Sequence, residues 1–76
     1  MCMKPVNAIE FYAFVQGNHL RVGDSDVIDD ETGEQCTTFH PFRNHQLGQC
    51  AAERHHTPDG TTTGYFVDSE VLQCRA

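Results

Sequence analysis

The sequence predicts a single α+β domain spanning residues 1–76, in which a small, curved, mostly antiparallel β-sheet of four to six strands carries one α-helix on one face. Two segments with the pattern of β-hairpins and one segment with the pattern of a capped helix lead to this fold class. A chain this short buries only about 60% of its unfolded surface on folding, so we expect one thin core.

The first predicted hairpin begins with residues 9–16, where apolar side chains occupy alternate positions starting from Ile9. That alternation is typical of a strand with one buried face. Gly17-Asn18 supplies a two-residue turn, and residues 19–22 return as the partner strand. We expect this hairpin to be the centre of stability, with Ile9 and Phe11 on its core face.

Two aromatic side chains of the same strand are predicted to point away from the core. Tyr12 and Phe14 alternate with the apolar positions and lie beside Arg21 of the returning strand. Because aromatic and Arg side chains dominate binding hot spots, Tyr12 and Phe14 are candidate partner-binding residues. The alternative is that another element of the fold covers them.

The second predicted hairpin pairs residues 27–29 with residues 35–37 around a turn at 30–33. This turn begins with Asp and ends with Gly33, the residue that best tolerates a positive φ. The register that we expect places Ile28 opposite Cys36, with both side chains in the core.

The C-terminal half is predicted to contain the helix and the remaining strands. Asn44 can cap a helix over residues 45–55, and the turn residues of 57–60 (Thr-Pro-Asp-Gly) would end it. Residues 61–68 read as a strand rich in Thr and aromatic side chains, and residues 70–74 as a weaker final strand.

The charge of the chain limits what it can bind. Eleven acidic residues against five basic ones give a net charge of −6, which argues against direct binding to nucleic acid or to an anionic membrane. A hairpin rimmed with carboxylates can instead dock on a basic groove of a larger protein or ribonucleoprotein, as a nucleic-acid mimic would. The candidate partner-binding acids lie on the second hairpin: Asp26, Asp29, Asp30, Glu31 and Glu34.

A series of Cys and His residues indicates an alternative function, that of a small zinc-binding protein. The series consists of Cys36, His40, His45, Cys50, His55 and His56. Its candidate ligands are Cys36, His40, His45 and Cys50, which have the donor atoms that zinc prefers. Their spacing lacks the short separations of zinc knuckles, and a helix over 45–55 would turn His45 and Cys50 to different sides. No nucleophile, acid–base pair or cofactor motif is recognisable, so we expect neither catalytic residues nor a cofactor.

The sequence contains no secretory or membrane-spanning pattern, which predicts a cytoplasmic protein whose four cysteines are free thiols. A free strand edge also allows two copies to pair as a homodimer. In size, acidity and layout the chain resembles small inhibitors made by bacteriophages and mobile elements, anti-CRISPR proteins among them. The resemblance involves no shared motif and assigns no residue. It implies an inhibitor that acts by binding a larger complex.

Overall fold

The computed structural model describes residues 3–70, and this part of the chain confirms the α+β class, with one helix and a mostly antiparallel arrangement of strands. The elements are β1 (Lys4–Val6), α1 (Ala8–Gly17), β2 (Arg21–Asp29), β3 (Glu34–His40), β4 (Phe42–Arg43), β5 (Gln46–Leu47), β6 (Ala52–His56) and β7 (Thr62–Val67). Five strands form the main sheet in the order β1-β7-β6-β3-β2, every neighbouring pair being antiparallel, and β4 pairs with β5 separately.

The segment predicted to be the first strand is the helix α1, so that prediction is wrong. A capping box starts the helix: the Asn7 side chain accepts from the backbone N–H of Glu10 at 2.8 Å, and the Glu10 carboxylate accepts from the backbone N–H of Asn7 at 3.1 Å. Two backbone donors that the helix leaves unpaired at its N-terminus are satisfied in this way. This local signal outweighs the alternation of apolar residues.

The helix also changes which side chains face the core. Phe11 is fully buried at 0% exposure, as predicted, but Ile9 is 83% exposed. Phe14 and Val15 pack against the core together with Phe11, which is the i, i+3, i+4 spacing of a helix face. A strand would have placed Ile9 and Phe11 side by side.

The core lies between α1 and one face of the main sheet. Phe39, Ala52 and Val67 are direct neighbours across β3, β6 and β7, and all three are buried. The Phe11 ring covers this row, with its centroid 5.3 Å from that of Phe39 and 4.8 Å from that of Tyr65. We call the opposite side of the sheet the open face, since α1 packs on the other.

The second hairpin is confirmed as β2 and β3 around residues 30–33, but its predicted register is wrong. Gly33 has a φ of +77°, and its N–H donates to the Asp29 carbonyl at 2.8 Å. A shift of register between Val27 and Asp29 places Asp26 opposite Cys36. Cys36 is buried, but its side chain lies on the open face and not in the core under α1. Ile28 is 49% exposed because the irregularity removes it from the pairing.

The predicted helix over residues 45–55 does not form. Phe42–Arg43 and Gln46–Leu47 pair as a tight hairpin around Asn44 and His45, whose φ angles are +53° and +63°. Two residues with positive φ make a connection whose twist matches that of the flanking strands, so Asn44 acts as a turn residue and not as a helix cap. The chain then enters β6.

The last part of the described chain follows the prediction. The Gly60 N–H donates to the Thr57 carbonyl at 2.9 Å and closes the expected turn, and β7 is the expected strand. The weaker strand proposed for residues 70–74 lies outside the described residues apart from Glu70. Within residues 3–70, no helix combines the length and the apolar character needed to cross a bilayer.

Candidate functional site

The most strongly charged surface is the acidic hairpin, which we define as β2, β3 and the turn 30–33. Asp26, Asp30 and Glu31 are exposed, and Asp24, which the sequence analysis did not single out, is exposed on the same strand. No side-chain hydrogen bond engages these four carboxylates within residues 3–70, so all four are open to a partner.

The other two predicted binding acids have structural partners. Asp29 accepts from the backbone N–H of Glu31 at 3.0 Å and so stabilises the turn. The Glu34 carboxylate accepts from the hydroxyl of Thr63. Both residues are half-buried. They position the hairpin, whereas the exposed acids present its charge.

No Lys or Arg side chain within the described residues forms an ion pair with a carboxylate of the acidic hairpin. The one ion pair among residues 3–70 joins Glu53 to His55 on another part of the sheet. Arg21, at the start of β2, holds its guanidinium 4.6 Å from the centroid of the Phe42 ring. Because the carboxylates lack internal partners, their negative potential extends into solvent.

The acidic hairpin also provides a strand edge with apolar side chains. β2 is the last strand in the order of the main sheet, so one of its edges pairs with no strand of the described chain. Val22, Val27 and Ile28 are exposed along it. An edge of this kind offers backbone donors and acceptors to a partner.

The aromatic pair predicted to bind a partner is placed differently. Phe14 packs against the core. Tyr12 is 43% exposed, but its ring meets those of Phe11 and Tyr65 edge to face, at centroid distances of 5.2 and 5.7 Å. Tyr12 therefore contributes to packing around α1, and Arg21 contacts Phe42 instead.

A second group of functional side chains lies on the open face. Cys36 of β3 and His55 of β6 are direct cross-strand partners, and Glu53 precedes His55 by two positions, so all three side chains share this face. Their ligand atoms lie within 4.8 Å of one another, and His55 Nε2 is 3.2 Å from Glu53 Oε1. We call this group the Cys–Glu–His cluster.

The surroundings of the cluster favour the protonated thiol at Cys36 and at the nearby Cys50. Burial, and next the Glu53 carboxylate, raise the pKa of Cys36 to about 12. The same two causes raise the pKa of Cys50, whose Sγ lies 4.0 Å from Glu53 Oε2. Since a thiolate is the reactive form, neither cysteine has the environment of an activated nucleophile.

The residues predicted as zinc ligands are only partly brought together. Cys36 belongs to the cluster and Cys50 lies beside Glu53. His40 is held by the Thr38 hydroxyl and the Gly48 carbonyl, each at 2.8 Å, and His45 is exposed in the β4–β5 turn. His55 belongs to the Cys and His series but was left out of the predicted ligand set, and Glu53 was missed, because a helix was assigned there; their i, i+2 spacing would have signalled a shared strand face.

Comparison of the chain with protein-family models, curated proteins and solved structures found no match. Function is therefore inferred from two surfaces described above: the acidic hairpin at the edge of the sheet, and the Cys–Glu–His cluster on the open face.

Proposed function

We propose that this protein is a non-enzymatic interaction module that binds a basic groove of a larger protein or ribonucleoprotein through its acidic hairpin. The observation that carries the proposal is a set of exposed carboxylates on an ordered hairpin that form no ion pair among residues 3–70: Asp24, Asp26, Asp30 and Glu31. A groove that binds nucleic acid presents the complementary charge.

Order makes these charges effective. On a disordered tail, carboxylates disperse, and fixing them on binding costs conformational entropy. Here the two strands and the bonds of Asp29 fix the backbone that carries them. Complementary charges raise the association rate. Their attraction acts over a distance set by the Debye length, which is about 10 Å at 0.1 M salt.

The apolar side chains of β2 add contact area to the charge. Val22, Val27 and Ile28 are already exposed, so a partner can cover them without rearranging the core. Pairing of two β2 edges from separate copies would bring like charges together, which favours a basic partner over a homodimer. Acidic residues on a strand edge also oppose self-association. A role in solubility alone is therefore the competing explanation for these carboxylates.

The proposal is tested by affinity capture from the source cells with three baits. They are the wild-type protein, the combined variant Asp26→Lys, Asp30→Lys, Glu31→Lys, and the control Glu70→Lys, which changes an exposed acid outside the hairpin. Asp29 is left intact because it holds the turn. We expect basic proteins captured by the wild type to be lost with the combined variant and retained with the control. Capture of the same proteins by all three baits would refute the proposal.

A further inference from the structure

The Cys–Glu–His cluster has a geometry that the acidic hairpin does not explain. Two neighbouring strands inside the main sheet, β3 and β6, hold its three side chains on one face, and antiparallel register fixes their relation. A thiol, an imidazole and a carboxylate meet there with ligand atoms within 4.8 Å of one another. From this convergence we infer that Cys36, Glu53 and His55 bind a divalent zinc ion. This inference does not depend on the proposed docking function.

The donor atoms favour zinc over other divalent cations. Sulfur and imidazole ligands suit zinc, whereas calcium and magnesium select oxygen ligands. Zinc distances of about 2.3 Å to sulfur and about 2.0–2.2 Å to nitrogen or oxygen imply ligand atoms roughly 3.3–3.8 Å apart. The 3.2 Å between His55 Nε2 and Glu53 Oε1 is already near that range, and the separations from Cys36 Sγ lie within 4.8 Å.

The charge of the cluster also matches a divalent ion. With zinc bound, Cys36 is a thiolate and Glu53 a carboxylate, and their two negative charges balance the ion while His55 stays neutral. Among the described residues, Glu53 has no Lys or Arg partner; its carboxylate meets His55 and the thiols of Cys36 and Cys50. A bound cation would therefore supply the positive charge that compensates this half-buried carboxylate.

Packing holds the ligands in place while leaving a route for the ion. The His55 ring packs against Phe66 at a tilt of 43°, with 4.6 Å between centroids, and this contact restricts the orientation of the imidazole. Cys36 is 8% exposed, but Glu53 and His55 are half-buried and border solvent. Three protein ligands leave the fourth tetrahedral position to water.

Cobalt(II) is the probe that tests the site, because it replaces zinc and a cobalt–thiolate bond gives an ultraviolet charge-transfer band. The full chain is used with Cys2→Ser and Cys74→Ser, so that any thiolate ligand comes from the described cysteines. We expect one equivalent of Co²⁺ to bind with that band. Addition of Cys36→Ser should abolish the band, whereas the matched change Cys50→Ser should keep it. Absence of the band, or its persistence with Cys36→Ser, would overturn the inference.

The other two ligands are tested by Zn²⁺ titration calorimetry on metal-stripped protein. Glu53→Gln and His55→Gln should each raise the dissociation constant by about tenfold or more, since a lost ligand costs at least as much as a lost supporting contact. His45→Asn, a change in the exposed β4–β5 turn, should leave the constant unchanged. Circular dichroism of each metal-free variant checks that it folds. Equal affinity of folded His55→Gln and wild type would refute the site.

Discussion

Asp29 and Asp30 are neighbours in the acidic turn, yet the structure gives them different roles. Asp29 accepts from Glu31 through its side chain and from Gly33 through its carbonyl, so it determines the shape of the turn. The Asp30 side chain is exposed and has no such bond. Replacing Asp29 would therefore disturb the hairpin, whereas replacing Asp30 changes the charge alone. The sequence shows only that both residues are acidic. The hydrogen bonds in the structure distinguish Asp29, which shapes the turn, from Asp30, which is available to a partner.

Asp59 is a carboxylate whose pH dependence can be predicted. The Thr57 hydroxyl, which is the largest cause, and the backbone N–H of Thr61 at 3.0 Å hydrogen-bond its charged form and lower its pKa below 3.8. A lowered folded-state pKa means that the stabilisation is present above the unfolded-state pKa and is lost as pH falls through the folded-state value. An NMR titration should show this low midpoint. In Thr57→Ala the midpoint should rise; an unchanged midpoint would contradict the assignment to Thr57.

At the scale of elements, turn chemistry correctly predicted the turns at 30–33 and 57–60 but not the hairpin turn at Gly17-Asn18, where α1 ends instead. Gly33 was expected at a positive φ and adopts one. Residues 9–16 satisfy two patterns, because the alternation from Ile9 competes with the helical spacing of Phe11, Phe14 and Val15. The capping box of Asn7 and Glu10 decides in favour of the helix.

The helical assignment of α1 is tested by two matched substitutions. Phe11→Ala removes a fully buried ring and should lower the free energy of unfolding by about 3–5 kcal/mol, enough to threaten folding of so small a domain. Ile9→Ala removes an 83% exposed side chain and should change the free energy of unfolding by less than about 0.5 kcal/mol. Urea denaturation measures both. Similar losses from the two variants would support a strand with both residues inside.

The turn of the acidic hairpin is tested by a pair of glycine substitutions. Gly33→Ala should destabilise the protein by about 1–2 kcal/mol, because φ is +77° and the new Cβ would meet Pro58 Cγ at 2.9 Å. Gly17, at the end of α1, has open space around it, so Gly17→Ala should be neutral or stabilise by up to about 1 kcal/mol. Thermal unfolding compares them; a Gly33→Ala protein as stable as Gly17→Ala would refute this turn geometry.

For the whole molecule, the sheet places two candidate sites side by side, since Asp26 of the acidic hairpin is the cross-strand neighbour of Cys36. Its β2 edge carries acidic and apolar residues, and its open face gathers Cys36, Glu53 and His55. The sequence indicated the acidic hairpin because those residues are contiguous in the chain. It could not indicate the cluster, since the pairing of Cys36 with His55 depends on the register between β3 and β6.

Binding through the acidic hairpin is tested most directly by the association rate with a captured basic partner, at low and at high ionic strength. Asp30→Lys and Glu70→Lys change the net charge equally and differ only in position. Asp30→Lys should slow association by about tenfold at low salt and weaken the salt dependence of the rate. The reason is that the reversed charge lies in the interface and opposes the long-range attraction of the basic groove. Glu70→Lys should stay close to wild type. Equal rates for the two variants would contradict binding through the acidic hairpin.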